Sequence, residues 1–177
     1  HGLKLIIDAS QYVGHKRINL KDTPCDILCA PGHKALFGIQ GAGFVYFKEN
    51  SSADSFIEGG SGTTSSSPDM PDYLPEKYEA GTLPSPSVIS ISEGIKFINE
   101  VGIDEIENKS LSLTQMAKER LLNIAGVIFY GADNGVLSFN YNDIPSYVIS
   151  DELNKRGICT RGGLHCAPDA HRYIGTQ

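Results

Sequence analysis

The sequence predicts an α/β fold in two parts, and three observations carry that prediction. Short apolar runs ending at Asp or Pro-Gly turns open the chain, as in Leu5-Ile-Ile-Asp8 and Asp26-Ile-Leu-Cys-Ala30. Two long stretches in the middle repeat their apolar residues at helical spacing. Strand-like and helix-like patterns then alternate to the C-terminal end.

In chain order, Leu3–Ala9 is a continuous apolar run ending with Asp8, read as a parallel strand buried on both faces. Ser10 to Lys21 has no clear period. Ile27–Ala30 is the next strand, and Pro31-Gly32 breaks it and presents His33 and Lys34 on a turn. Lys34 is therefore expected at the carboxyl end of a strand, where open α/β sheets place ligands. A lysine partly desolvated there can lose its proton and react with a carbonyl group. Gly41-Ala-Gly43 leads into the aromatic-rich strand Phe44–Phe47. Residues 50–75 are rich in Gly, Ser and Pro, the composition of a flexible linker. Their length points to function or disorder rather than an idle connection.

Pro86–Val101 is a predicted helix, with Val88, Ile91, Ile95 and Ile98 on one stripe, Ser85 or Ser87 as cap and Gly102 as stop. Asp104–Asn123 is a second helix with Ile106, Leu113, Ala117, Leu121 and Ile124 as its stripe, stopped by Gly126. Val127–Tyr130 and Val136–Tyr141 read as strands around the turn Gly131-Ala-Asp-Asn-Gly135. A helix over Pro145–Arg156, capped by Asp143 and closed by Gly157, and a strand over Ile158–Arg161 complete an α-β-β-α-β second part.

Composition narrows the function. In 177 residues, 40% are apolar and 20% charged, which suits a soluble globular chain. A net charge of −6 argues against nucleic acid and anionic membrane surfaces as partners. No apolar run reaches the about 18 residues of a membrane helix. The cysteines are Cys25, Cys29, Cys159 and Cys166, too sparse for a disulfide scaffold, and reduced thiols in a cytoplasm are expected. Cys25 and Cys29 have no matching second pair to make a zinc site. His165, Cys166 and His171 offer three metal ligands without an evident fourth. Gly62-Thr63-Thr64 can meet a phosphate through backbone N–H groups.

Four motifs in order carry a resemblance: Asp8 with Gln11, Gly32-His33-Lys34, Glu79-Ala-Gly-Thr82, and Arg161-Gly-Gly-Leu-His-Cys166-Ala-Pro. Together they resemble the class V aminotransferase group of pyridoxal-phosphate enzymes, and within it the cysteine desulfurase and selenocysteine lyase branch. The resemblance implies fold type I, with residues 1–105 as the remnant of a large cofactor-binding domain and 106–177 as the small C-terminal domain. It implies that Lys34 joins the cofactor, Asp8 pairs with the pyridine nitrogen, Gln11 reaches the ring hydroxyl and His33 the phosphate. It implies that Thr82 reaches the phosphate of a partner copy in a homodimer. Arg161 would hold the substrate carboxylate in a bidentate fork. Cys166 would take sulfur or selenium from cysteine or selenocysteine, with Arg161 and His165 as cations favouring its thiolate, and could pass it to an acceptor protein.

Members of this family are longer. The chain reads as a fragment, lacking the group that stacks on the cofactor and expected to be inactive alone. Another substrate arginine would lie beyond Gln177. One departure stands out: a serine that often binds phosphate two residues before the histidine is Pro31 here, with neither hydroxyl nor N–H. Two rival readings are an aminotransferase or other lyase of the same fold, which needs no Cys166, and a non-catalytic dimerisation fragment.

Overall fold

The computed structural model describes residues 2–131 and 135–176. Its first apolar run forms a short strand, β1, over Ile6–Asp8. The second forms β2 over Ile27–Pro31, and the aromatic run forms β3 over Gly43–Phe47. They make one sheet in the order β1-β2-β3. β1 runs parallel to β2 with Asp8 opposite Cys29; β3 runs antiparallel with Val45 opposite Cys29 and Gly43 opposite Pro31. Because strand side chains alternate, Asp8, Cys29 and Val45 share one face and Ile7, Leu28 and Tyr46 the other.

The second face carries the buried core. Leu28, Ala9 and Cys25 are buried there, with Ile7, Val13, Ile18, Leu20 and Tyr46 packed against them. Residues 10–21, aperiodic in sequence, supply three of these side chains. The expectation that β1 is buried on both faces is corrected: Ile6 is 62% exposed. β1 pairs with β2 alone, and nothing among the described residues packs over its other face closely enough to bury Ile6.

Residues 48–75 carry neither helix nor strand, but they are tied to the sheet. Tyr78, in a 3-10 turn over Glu76–Tyr78, stacks on Phe47 with ring centroids 4.8 Å apart. Its hydroxyl donates to the Ala53 carbonyl at 2.6 Å and accepts the Ala53 N–H at 2.9 Å. Farther along, the Gly81 N–H donates to the Gly60 carbonyl at 2.8 Å.

Helix α1 spans Ser85–Val101 and helix α2 spans Ile103–Leu121. Between them Gly102 adopts φ 91°, a left-handed value that glycine accepts without strain, and so ends α1. The expected serine cap is absent. α1 starts behind Pro84 with Pro86 in its first turn, where proline has no N–H to satisfy. The Ser87 hydroxyl is instead spent on the Gln40 carbonyl. α2 has acids in its first turn (Asp104, Glu105) and bases in its last (Lys118, Arg120), matching its dipole. It ends two residues earlier than the pattern predicts. Its expected stripe is only partly covered, with Leu113 exposed.

The chain divides into two compact units, His1–Glu107 and Asn108–Gln177. In the second unit β4 (Val127–Gly131) pairs antiparallel with β5 (Ser138–Tyr141). The turn predicted between them includes residues 132–134, outside the described residues. Helix α3 covers Ser146–Asn154 and helix α4 covers Pro168–Ile174. Two expectations fail here. Asp143 does not cap α3, which begins after Pro145 with no side-chain cap. Ile158–Arg161 is not a strand, because its backbone is bound along α3. The Ile158 N–H donates to the Leu153 carbonyl at 3.0 Å, and Ser150 Oγ donates to the Thr160 carbonyl at 3.0 Å. Helix α4 had no counterpart in the sequence reading. Among the described residues no helix is long and apolar enough to cross a membrane.

Candidate active site

Asp8 closes β1 on the face it shares with Cys29 and Val45. Its Oδ1 accepts the Ser10 N–H at 2.9 Å, a two-residue Asx turn. Hydrogen bonds from Ser10, with a smaller contribution from the positive charge of Lys34, hold the Asp8 carboxyl below its usual 3.8. Asp8 is therefore anionic throughout the neutral range, and Lys34 lies near enough for its charge to act on it. Asp8 and Ser10 line a cleft of about 910 Å³ together with Cys29, Pro31, Val45 and Phe47, roofed by parts of 53–56 and 74–79.

Lys34 stands three residues beyond the end of β2, on the turn the sequence predicts. It is exposed, so the expectation of a desolvated lysine is corrected. Residues 32–38 close on themselves: the Gly38 N–H donates to the Gly32 carbonyl at 2.9 Å, and the Phe37 N–H to the Lys34 carbonyl at 3.0 Å. His33 and Gln11 are exposed beside this loop and the Asx turn respectively. Thr82 is exposed three residues beyond Glu79, which lines the cleft. Gly62 and Thr64 line a separate hollow of about 250 Å³ within 58–70.

In the second unit, Arg161 and Cys166 bound a tight, exposed loop. The His165 Nε2–H donates to the Arg161 carbonyl at 2.9 Å, and the Gly163 N–H donates to Ser146 Oγ at 3.0 Å. His165 (φ 52°) and Cys166 (φ 62°) are consecutive non-glycine residues in the left-handed region. Side chains avoid that conformation, and such strain gathers at functional sites. The alternative of a metal at His165, Cys166 and His171, which lacked a fourth ligand in the sequence, gains no support: no group of three His, Cys, Asp or Glu suited to a metal occurs among the described residues. His171 Nδ1 is instead 2.8 Å from Thr176 Oγ1.

The family model for class-V aminotransferases matches residues 1–177. The chain belongs to the class-V aminotransferase family. A probable cysteine desulfurase of Methanothermobacter thermautotrophicus is 30% identical over 181 residues, covering 98% of this chain and 45% of that protein. Among solved structures, the apo cysteine desulfurase of Thermococcus onnurineus NA1 superimposes with TM-score 0.84 at 28% identity, over 96% of this chain and 44% of the other. The Escherichia coli cysteine desulfurase CsdA in its S-sulfonic acid form gives TM-score 0.90 at 25% identity, over 98% and 45%. The chain spans a little under half the length of these relatives.

This class-V chain thus has the corresponding part of the fold-type I architecture. Its Pro31 ends β2 opposite Gly43 and lines the cleft, where it has no donor to offer a phosphate. Sequence reasoning missed what holds the lysine loop. Gly94 in α1 and Gly14 lie against the backbone of Leu36 and Ala35, where a Cβ would come within 1.8 Å and 2.4 Å of their carbonyl oxygens. A glycine inside an otherwise amphipathic helix was the available signal for Gly94. Ser10 and its bond to Asp8 had no such signal, since one small polar residue after an aspartate is ordinary turn composition.

Proposed function

We propose that the full-length protein is a pyridoxal-phosphate-dependent cysteine desulfurase that removes sulfur from L-cysteine, leaving alanine and a persulfide on Cys166. The observation that carries this reading is the Cys166 loop, exposed, left-handed at two residues and closed onto Arg161 by His165. An aminotransferase has no use for a strained, solvent-facing thiol.

The residues present fit the cofactor. An aspartate whose charged form is further favoured by Ser10 suits a protonated ring nitrogen, and the cleft beside it is wide enough for a small heterocycle. Asp8 would hold that nitrogen, Gln11 the ring hydroxyl, His33 the phosphate, and Lys34 Nζ the covalent attachment. Thr82 would serve the phosphate of a second copy, making the protein a homodimer. When bound, pyridoxal phosphate supplies an electron sink for bonds at the substrate's α-carbon.

The chain's own residues do the rest. Arg161 holds the substrate carboxylate in a two-point fork. Lys34, once free, takes and returns protons at the substrate carbon. The Cys166 thiolate attacks the substrate sulfur, forming an S–S bond as the C–S bond breaks. The electron pair of the broken bond stays with carbon, which takes up a proton to become the methyl of alanine. Oxidation of the Cys166 sulfur to a persulfide balances reduction of that carbon. A sulfur-acceptor protein would then discharge Cys166, and selenocysteine can follow the same course. The reducing cytoplasm suits such a thiolate.

The test is chemical. The full-length protein is given pyridoxal phosphate and L-cysteine, then alkylated and digested. The Cys166 peptide is expected to gain one sulfur atom. Sulfur found only on Cys25, Cys29 or Cys159 would contradict the assignment.

A further inference from the structure

Among the described residues the Lys34 ammonium makes no ion pair. The position of the Lys34 Cα is set by the backbone that carries it. That backbone lies in a bed on one face of α1, formed by Ser87, Ser90, Ile91 and Gly94 at i, i+3, i+4 and i+7. Ser87 Oγ donates to the Gln40 carbonyl at 2.9 Å. Ser90 Oγ accepts the Ile39 N–H at 2.9 Å and donates to the Ser87 carbonyl at 2.7 Å.

Gly94 is the closest approach. A Cβ there would stand 1.8 Å from the Leu36 carbonyl oxygen and 3.2 Å from Phe37 Cβ. On the loop's other side a Cβ at Gly14 would stand 2.4 Å from the Ala35 carbonyl oxygen. The two peptide carbonyls that follow Lys34 are thus gripped between two glycines. Phe37, held at φ 58°, packs edge-on against Phe97 of α1 with ring centroids 5.3 Å apart. The bonds that close residues 32–38 transmit this seating to Lys34.

We propose that Ser90 and Gly94 are positioning residues for Lys34: the α1 face sets where the lysine amine meets the carbonyl of the cofactor. The proposal rests on the cofactor reading above. A methyl at residue 94 must push the Leu36 carbonyl away. Loss of the Ser90 hydroxyl leaves the Ile39 N–H without its acceptor. Each disturbs the loop without touching cofactor or substrate.

The experiment follows attachment of pyridoxal phosphate to Lys34 in the full-length protein by borohydride trapping and peptide mass spectrometry. Rate and pH midpoint are measured for wild type, Ser90→Ala, Ser90→Thr and Gly94→Ala, alongside the folded fraction by circular dichroism. Ser90→Ala is expected to stay folded, to trap about tenfold to a hundredfold more slowly, since small misplacements of reacting groups cost that much, and to shift the pH midpoint. Ser90→Thr keeps the hydroxyl and should restore both. Gly94→Ala should be slower still, and the two Ser90 variants decide the matter however it folds. Ser90→Ala trapping at the wild-type rate and midpoint overturns the proposal, as does a slowing that only follows its unfolded fraction. A wild type with no adduct at Lys34 fails differently: it overturns the cofactor reading, and this proposal with it.

Discussion

Asp8 shows how little is needed to keep one carboxylate charged. The Ser10 side chain and, in the Asx turn, the Ser10 N–H both hydrogen-bond it, and Lys34 adds a favourable charge. Its titration, followed by carboxyl-carbon NMR, should have a midpoint below 3.8 that rises in Ser10→Ala. Asp8→Asn should weaken pyridoxal-phosphate binding roughly tenfold to a hundredfold, the scale of a charge-assisted hydrogen bond. Fluorescence titration with the cofactor reads this directly. An unchanged affinity would remove Asp8 from the site. The strand end at Asp8 and the turn that carries Lys34 were legible in the sequence, because an apolar run followed by a turn can be read from contiguous residues. Lys34's exposure was not legible, because it depends on how 32–38 folds away from the sheet. The left-handed backbone at His165 and Cys166 left no trace in the sequence either, since neither is a glycine or an asparagine.

Between elements, backbone bonds to side chains decide where pattern alone misleads. Ile158–Arg161 has the composition of a strand, yet Ser150 and the end of α3 take up its backbone groups, so no partner strand is needed. The pattern found α1 and α2 within a few residues because their apolar spacing is local. It could not find the helix starts, because α1 begins behind Pro84 with Pro86 in its first turn and α3 begins behind Pro145, each without a side-chain cap. Residues 50–75 read as a linker by composition, while Tyr78 clamps their beginning at Ala53. Tyr78→Phe keeps the stack on Phe47 but removes both hydroxyl bonds. It should cost about 1–2 kcal/mol and speed proteolysis within 50–75. Equal cleavage of mutant and wild type would show that the clamp does not hold this segment.

For the whole molecule, charge sets the pH limits. Asp8, Asp26 and Glu152 have depressed values, Asp26 chiefly through the Leu5 N–H and Glu152 through Lys155. The unfolded chain therefore takes up protons first as pH falls. Their stabilising contribution is complete above the ordinary values of 3.8 and 4.5 and is lost as pH drops through the lower native ones. Lys96 and Lys155 are raised by Glu93 and by Glu152 with Asp151 respectively; their contribution is complete below 10.5 and is lost as pH climbs through the higher native values. The groups are exposed, so the losses should be shallow. Tm is expected to be flat from about pH 5 to 9, with gentle declines on either side. A steep change near pH 6.5 would instead point to a histidine.

The proposed desulfurase reaction assigns roles to Asp8, Lys34 and Cys166. The most direct measurement supplies the full-length protein with pyridoxal phosphate and L-cysteine and counts alanine and sulfane sulfur together, for wild type and Cys166→Ala. Equal amounts of both products from wild type, and neither from Cys166→Ala, are expected. Alanine and sulfur released equally well without Cys166, or no alanine from a wild type carrying the cofactor on Lys34, would contradict it.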